Sequence, residues 1–186
     1  MRRLALTIMI ALFAVVGCGG ESTPEIKRTP FAFLEMPSPD GWLSGTYDDL
    51  DTANFNLFPY PAQNDLAINL FARGATSAFS TVKTDAEGQV SDWMVAASFA
   101  RPADELILPA LTADLRNQMP WTGTAPTLTK ISETEYTVSG ETAAGHAYLR
   151  SFIDSKTIVV VFAGTISVDR EAFEAILALV APTVVD

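Results

Sequence analysis

The chain predicts an α+β domain, a largely antiparallel sheet with helices packed on it. Three observations carry this. Strand-like runs come early and late, helical spacing lies between them, and a last amphipathic helix closes the chain, with none of the regular strand–helix alternation a parallel sheet requires. Ile158-Val-Val-Val-Phe162 is apolar at every position, the mark of a central strand covered on both faces. At 186 residues the chain suits one domain, long enough to bury a core without staples.

The elements follow in order. Phe31-Ala-Phe-Leu-Glu-Met36 alternates as a short strand and stops at the turn signal Pro37-Ser-Pro-Asp-Gly41. Phe55–Tyr60 and Leu66–Arg73 read as two strands separated by Pro61-Ala-Gln-Asn-Asp65. In the second, Leu66, Ile68, Leu70 and Ala72 share one face. Over 76–100, Phe79, Val82, Ala86, Val90, Trp93 and Ala97 fall at three- and four-residue spacing, which favours a helix. Asp85-Ala-Glu-Gly88 is a turn signal within that stretch, and it leaves a hairpin of 78–84 with 89–99 as the alternative. Pro102-Ala-Asp-Glu opens a helix, with proline in the first turn and acids at the positive end of its dipole. Leu106, Leu111 and Leu115 continue it, and Met119-Pro120 ends it.

From Thr127 the texture is β. Leu128–Val138 is Thr-rich, Ser139-Gly140 punctuates it, and Tyr148–Ile153 follows. Asp154-Ser-Lys156 is a tight connection into Thr157–Thr165, so 147–153 is the expected antiparallel partner. Ser167 or Asp169 can cap the last helix. Its apolar stripe is Phe173, Ile176, Leu177 and Val180, expected to pack near Val160, and Pro182 stops it.

The N-terminus is an address. Met1-Arg2-Arg3 is a charged n-region and Leu4–Val16 is free of charge, long enough for a secretory h-region and too short for a spanning helix. Val15-Val16-Gly17-Cys18 follows, and Cys18 is the only cysteine. This stretch resembles the lipobox leader of bacterial lipoproteins, with Val15 and Val16 as variants of the usual Leu and Ala or Ser. The resemblance implies a signal peptide over 1–17 and a thioether-linked diacylglycerol on Cys18, its new amino group acylated. The alternatives are an uncleaved N-terminal helix or a plain signal peptide. Gly19, where that class uses Asp for inner-membrane retention, leans towards the outer membrane of a diderm cell, with the domain in the periplasm or at the surface. Residues 18–29 then form a lipidated Cys and a flexible tether that averages about 20 Å end to end, and the globular domain occupies 30–186.

Composition excludes several classes of function. The net charge of −10, with four lysines, argues against a nucleic-acid partner and against electrostatic docking on anionic lipid. One Cys and one His make neither an internal disulfide nor a structural zinc site.

Candidate chemistry is sparse. His146 would share a strand face with Tyr148, Arg150 and Phe152, which suits a ligand groove or an ordinary half-exposed face, and no G-x-S-x-G marks a nucleophile for it. Ser80-Thr-Val-Lys83 matches S-x-x-K but lacks the companion motifs of penicillin-recognising enzymes. Asp48-Asp49-Leu-Asp51 with Asn54 has a D-x-D but no Gly or terminal Glu for a calcium loop, and reads as a solvated acidic loop. Glu133 and Glu135, two apart on a strand, share a face and read as edge charges. No catalytic, cofactor or metal residue is assigned.

The mature domain also resembles the PsbP-like fold, an α/β/α sandwich. The residues that carry this are Phe31-x-Phe33-x-x-Met36-Pro37 followed by Trp42, the hairpin ending in Ile158–Phe162, and the closing helix around Phe173 and Ile176. Members of that fold are mostly non-catalytic binding or assembly factors. The expectation is therefore a lipid-anchored, non-enzymatic envelope domain that binds a protein partner or a small ligand, or aids assembly, and holds to the membrane through its acyl chains. The alternative is a small envelope hydrolase using His146.

Overall fold

The computed structural model describes residues 26–47, 61–101, 107–167 and 169–183. The leader, Cys18, the acidic stretch at Asp48–Asn54, the strand expected at Phe55–Tyr60 and the helix opening at Pro102–Leu106 lie outside them. Ten strands and three helices follow in the order β1 (Ile26–Phe31), β2 (Leu34–Pro39), β3 (Leu43–Tyr47), α1 (Pro61–Ala72), β4 (Ala75–Thr84), β5 (Val90–Ala100), α2 (Ile107–Gln118), β6 (Thr129–Ser132), β7 (Glu135–Thr142), β8 (Gly145–Ile153), β9 (Thr157–Thr165), α3 (Arg170–Leu177) and β10 (Ala181–Pro182).

The strands form a seven-stranded sheet in the order β3-β4-β5-β9-β8-β7-β6 and a small sheet β1-β2-β10. Every pairing is antiparallel. The fold is α+β, as the sequence predicts. β9 sits in the middle of the large sheet with Ile158–Thr165 all buried, and Asp154 makes the expected tight turn, its Oδ1 accepting from the Lys156 and Thr157 amides.

Both faces of the large sheet are covered. On one, Phe79, Met94, Ala96, Tyr148, Phe152, Val159 and Val161 pack with Phe173 and Leu177 of α3 and with Phe31, Leu34 and Met36 of the small sheet. On the other, Val95, Ala97, Leu149, Val160 and Phe162 pack with Leu70 of α1 and with Leu108 and Leu115 of α2. Strand alternation sends Val159 and Val161 towards α3 and Val160 to the other face, so α3 packs on the expected strand through the two neighbours of Val160.

Residues 76–100 are a hairpin, the alternative and not the favoured helix. In β5 every side chain from Met94 to Phe99 is buried, because helices cover one face and α3 with the small sheet cover the other. Burial on both sides erases the two-residue alternation, and the three- and four-residue spacing is incidental. Asp85 fixes the turn, its Oδ1 accepting from the backbone amides of Glu87 (3.0 Å) and Gln89 (2.8 Å).

The run at 66–73 is likewise helix and not strand. Leu70 and Phe71 are buried while Ile68 is 43% exposed, which breaks the shared face that alternation proposed. The run is apolar nearly all round, so neither period dominates in the sequence, and Pro61 sits at the first helical position. Smaller corrections follow the same logic. The segment Phe31–Met36 is not one strand: the chain reverses at Ala32-Phe33, with Ala32 left-handed at φ 53°. Strand structure begins at Ile26, inside the expected tether. Ser139-Gly140 lies within β7, and the reversal comes at Ala143-Ala144. Asp169 caps α3, accepting from the Ala172 amide, but the helix ends at Leu177, and Pro182 pairs with Leu34 in β10.

Candidate functional site

Strand register builds an unusual row on the helix-covered face of the large sheet. Val82, Trp93, Gly164, Ala147 and Gly140 stand side by side across β4, β5, β9, β8 and β7. Three consecutive positions in that row lack bulk. At Gly164 a Cβ would come within 2.6 Å of the Trp93 indole nitrogen, so the ring lies flat on glycine backbone. At Gly140 a Cβ would lie 2.5 Å from Pro126 and 3.3 Å from Trp121.

Beside these capped glycines, α1 and α2 leave a cavity of about 510 Å³. That volume falls within the ~300–1,000 Å³ of small-molecule sites. Trp93, Ala147 and Phe162 form the floor, and Leu66, Leu70, Leu115 and Met119 form the walls. The polar lining is Asn69, Arg73, Gln118 and Thr142. On α1 the facing residues are 66, 69, 70 and 73, one helical stripe of three- and four-residue steps. Arg73 stands just past the end of α1 and ties it to α2. It donates through Nη1 to Asp114 Oδ2 at 3.0 Å and through Nη2 to Gln118 Oε1. Gln118 Nε2 donates to the same Asp114 oxygen at 2.8 Å. Sequence reading missed this site, because its α1 stripe is visible only once 61–72 is a helix.

His146 lies on the opposite face, with Tyr148, Arg150 and Phe152 as expected. Its Nδ1 is 2.8 Å from Glu141 Oε1, its ring centroid is 4.7 Å from that of Tyr148, and its side chain is 10% exposed. Tyr148 donates to Glu174 Oε1 at 2.8 Å, and Arg170 Nε donates to the same oxygen at 2.7 Å. Burial, then the Glu174 hydrogen bond, pushes the Tyr148 phenol up to about 12, while bonds from Arg170 and Tyr148 hold Glu174 below the usual carboxylate range. His146 Nε2 is buried with no hydrogen-bond partner among the described residues. What the cluster does is join β8 to α3.

The other candidates separate in space. Ser80 and Lys83, three apart on β4, point to opposite faces. Ser80 is buried, and Lys83 pairs with buried Asp92 at 3.6 Å. Glu133 and Glu135 do not share a strand face: Glu133 sits in the β6–β7 turn on Lys130 (2.6 Å), and Glu135 is bound to Arg150 (2.6 Å). Among the described residues no group of three or more His, Cys, Asp or Glu side chains could hold a metal ion. None of the described helices is long and apolar enough to cross a membrane.

No protein-family model matches the chain, and no curated protein matches its sequence. Among solved structures it is similar to cyanobacterial PsbP (CyanoP) from Synechocystis sp. PCC 6803, at 13% identity and a TM-score of 0.49, over 91% of this chain and 99% of that one. It is also similar to the extracellular domain of PknH from Mycobacterium tuberculosis, at 18% identity and a TM-score of 0.39, over 75% of this chain and 82% of that one. At these scores the likenesses are of outline and transfer neither ligand nor activity.

Proposed function

We propose that the chain is a non-enzymatic binding module of the bacterial cell envelope, held to the membrane by lipid on Cys18, with PsbP-like α/β/α layering. Its α1–α2 cavity takes one small, largely apolar molecule. The observation that carries the ligand reading is the cavity itself. Trp93, Ala147 and Phe162 form its floor, two helices wall it, and Asn69, Arg73, Gln118 and Thr142 add polar groups. Anchoring rests on the leader and on Cys18.

The test uses the neutral dye 1-N-phenylnaphthylamine, whose emission rises in apolar surroundings. The chain from Ser22 onward is expected to bind one equivalent. Ala144 is an exposed turn residue at the cavity, so Ala144→Trp should abolish the signal while leaving the fold intact. Equal binding by that variant, or no binding by the parent, would falsify the ligand reading.

A further inference from the structure

The charges around the cavity select the chemistry of its occupant, an inference that rests on the ligand reading above. Arg73 lines the cavity, but its guanidinium is already engaged by Asp114 and Gln118. Two helix ends converge there, because Arg73 directly follows α1 and Gln118 is the last residue of α2. Each such end carries roughly half a negative charge. Arg116, on the same helix as Gln118, donates to Asn117 Oδ1 and the Pro126 carbonyl and does not line the cavity.

An anionic head would therefore meet an arginine whose charge is spent, behind it a carboxylate, and two negative helix ends. A cationic head would meet the guanidinium first. Neither ion recovers the cost of leaving water. A neutral head suffers no such penalty: the Asn69 amide can donate and accept, the Thr142 hydroxyl, whose proton goes to the Gly145 carbonyl at 2.9 Å, can accept, and the Gln118 amide, bound to Arg73 and Asp114, keeps a second N–H and a second lone pair. The remaining lining is apolar, from Leu66 and Leu70 across to Leu115 and Phe162. We infer that the site takes a neutral, single-chain amphiphile, its alkyl chain on the Leu70–Phe162 side and a hydroxyl or amide head beside Asn69 and Gln118.

Three probes of equal chain length test this, decanol, decanoate and decylammonium, each titrated at neutral pH to displace the bound dye. Decanol should displace it, and both ions should be at least about tenfold weaker. Asp114 is exposed, so Asp114→Asn leaves the core untouched. By releasing Arg73 it should bring decanoate up by about tenfold. Decanoate or decylammonium binding as tightly as decanol would overturn the head assignment and leave the cavity reading standing, as would an Asp114→Asn variant that treats decanoate like the parent. Failure of the dye itself to bind would sink both.

Discussion

Phe173 is 2% exposed, stacked on Trp42 at 6.4 Å and tilted against Tyr148 at 5.6 Å. Truncation to Ala removes a buried ring and leaves a cavity that a sheet on one side and Trp42 on another cannot easily close. We expect Phe173→Ala to cost about 3–5 kcal/mol in urea unfolding, whereas a loss near 1 kcal/mol would mean the ring is not buried. Tyr148 gives a second prediction at this scale. Its phenol titrates at about 12 in the folded chain against 10.0 ordinarily. The neutral form is the one that folding favours, so its contribution is complete below pH 10 and disappears as pH climbs towards 12. Tyr148→Phe should flatten the stability profile across that window. Phenol absorbance from the parent titrating wholly near 10 would contradict the hydrogen bond to Glu174. At the residue scale the sequence was informative where local chemistry decides. Asp169 caps α3 by its own side chain, Asp154 makes its turn through two amides, and Asp85 does the same.

Elements were legible in proportion to how one-sided their burial is. α3 shows a clear stripe because only one face meets the core, and β8–β9 announce themselves through a short polar turn. β5 misleads because both its faces are covered, and α1 misleads because its apolar residues encircle it. The cavity was out of reach for a different reason. Trp93, Ala147 and Phe162 are scattered along the chain and come together only through two strand registers. The leader is an element of another kind, and its prediction stands on membrane physics. Beyond residue 18 the sequence offers no long apolar stretch, and its net negative charge repels anionic headgroups. In the proposed anchor the holding force comes from acyl chains, at about 0.8 kcal/mol per buried methylene. Cys18→Ser cannot form the thioether and should leave an uncleaved precursor or a chain free in solution. Mass spectrometry of the parent should find a diacylglyceryl adduct on residue 18. An unmodified parent chain beginning at Cys18 or later would contradict the anchor.

In the whole molecule, the two faces of one sheet have different work. The α3 face is stitched by directional contacts. Arg150 binds Glu135, lies 4.8 Å over the Phe152 ring and donates to the Leu177 carbonyl at the end of α3, while Tyr148 and Arg170 share Glu174. The helix-pair face is packed by apolar side chains and keeps a cavity over Trp93, Ala147 and Phe162. The proposed binding function uses the second face, where the cavity lies. The most direct test is amide chemical-shift mapping of the isotopically labelled domain during titration with the neutral dye. Shifts should concentrate on Leu66–Arg73, on Leu115–Met119, on Ala144 and Ala147, and on the Trp93 indole N–H. Shifts centred on His146, Tyr148 and Trp42, or no shifts on α1 and α2 at saturation, would contradict the assignment of function to the α1–α2 cavity.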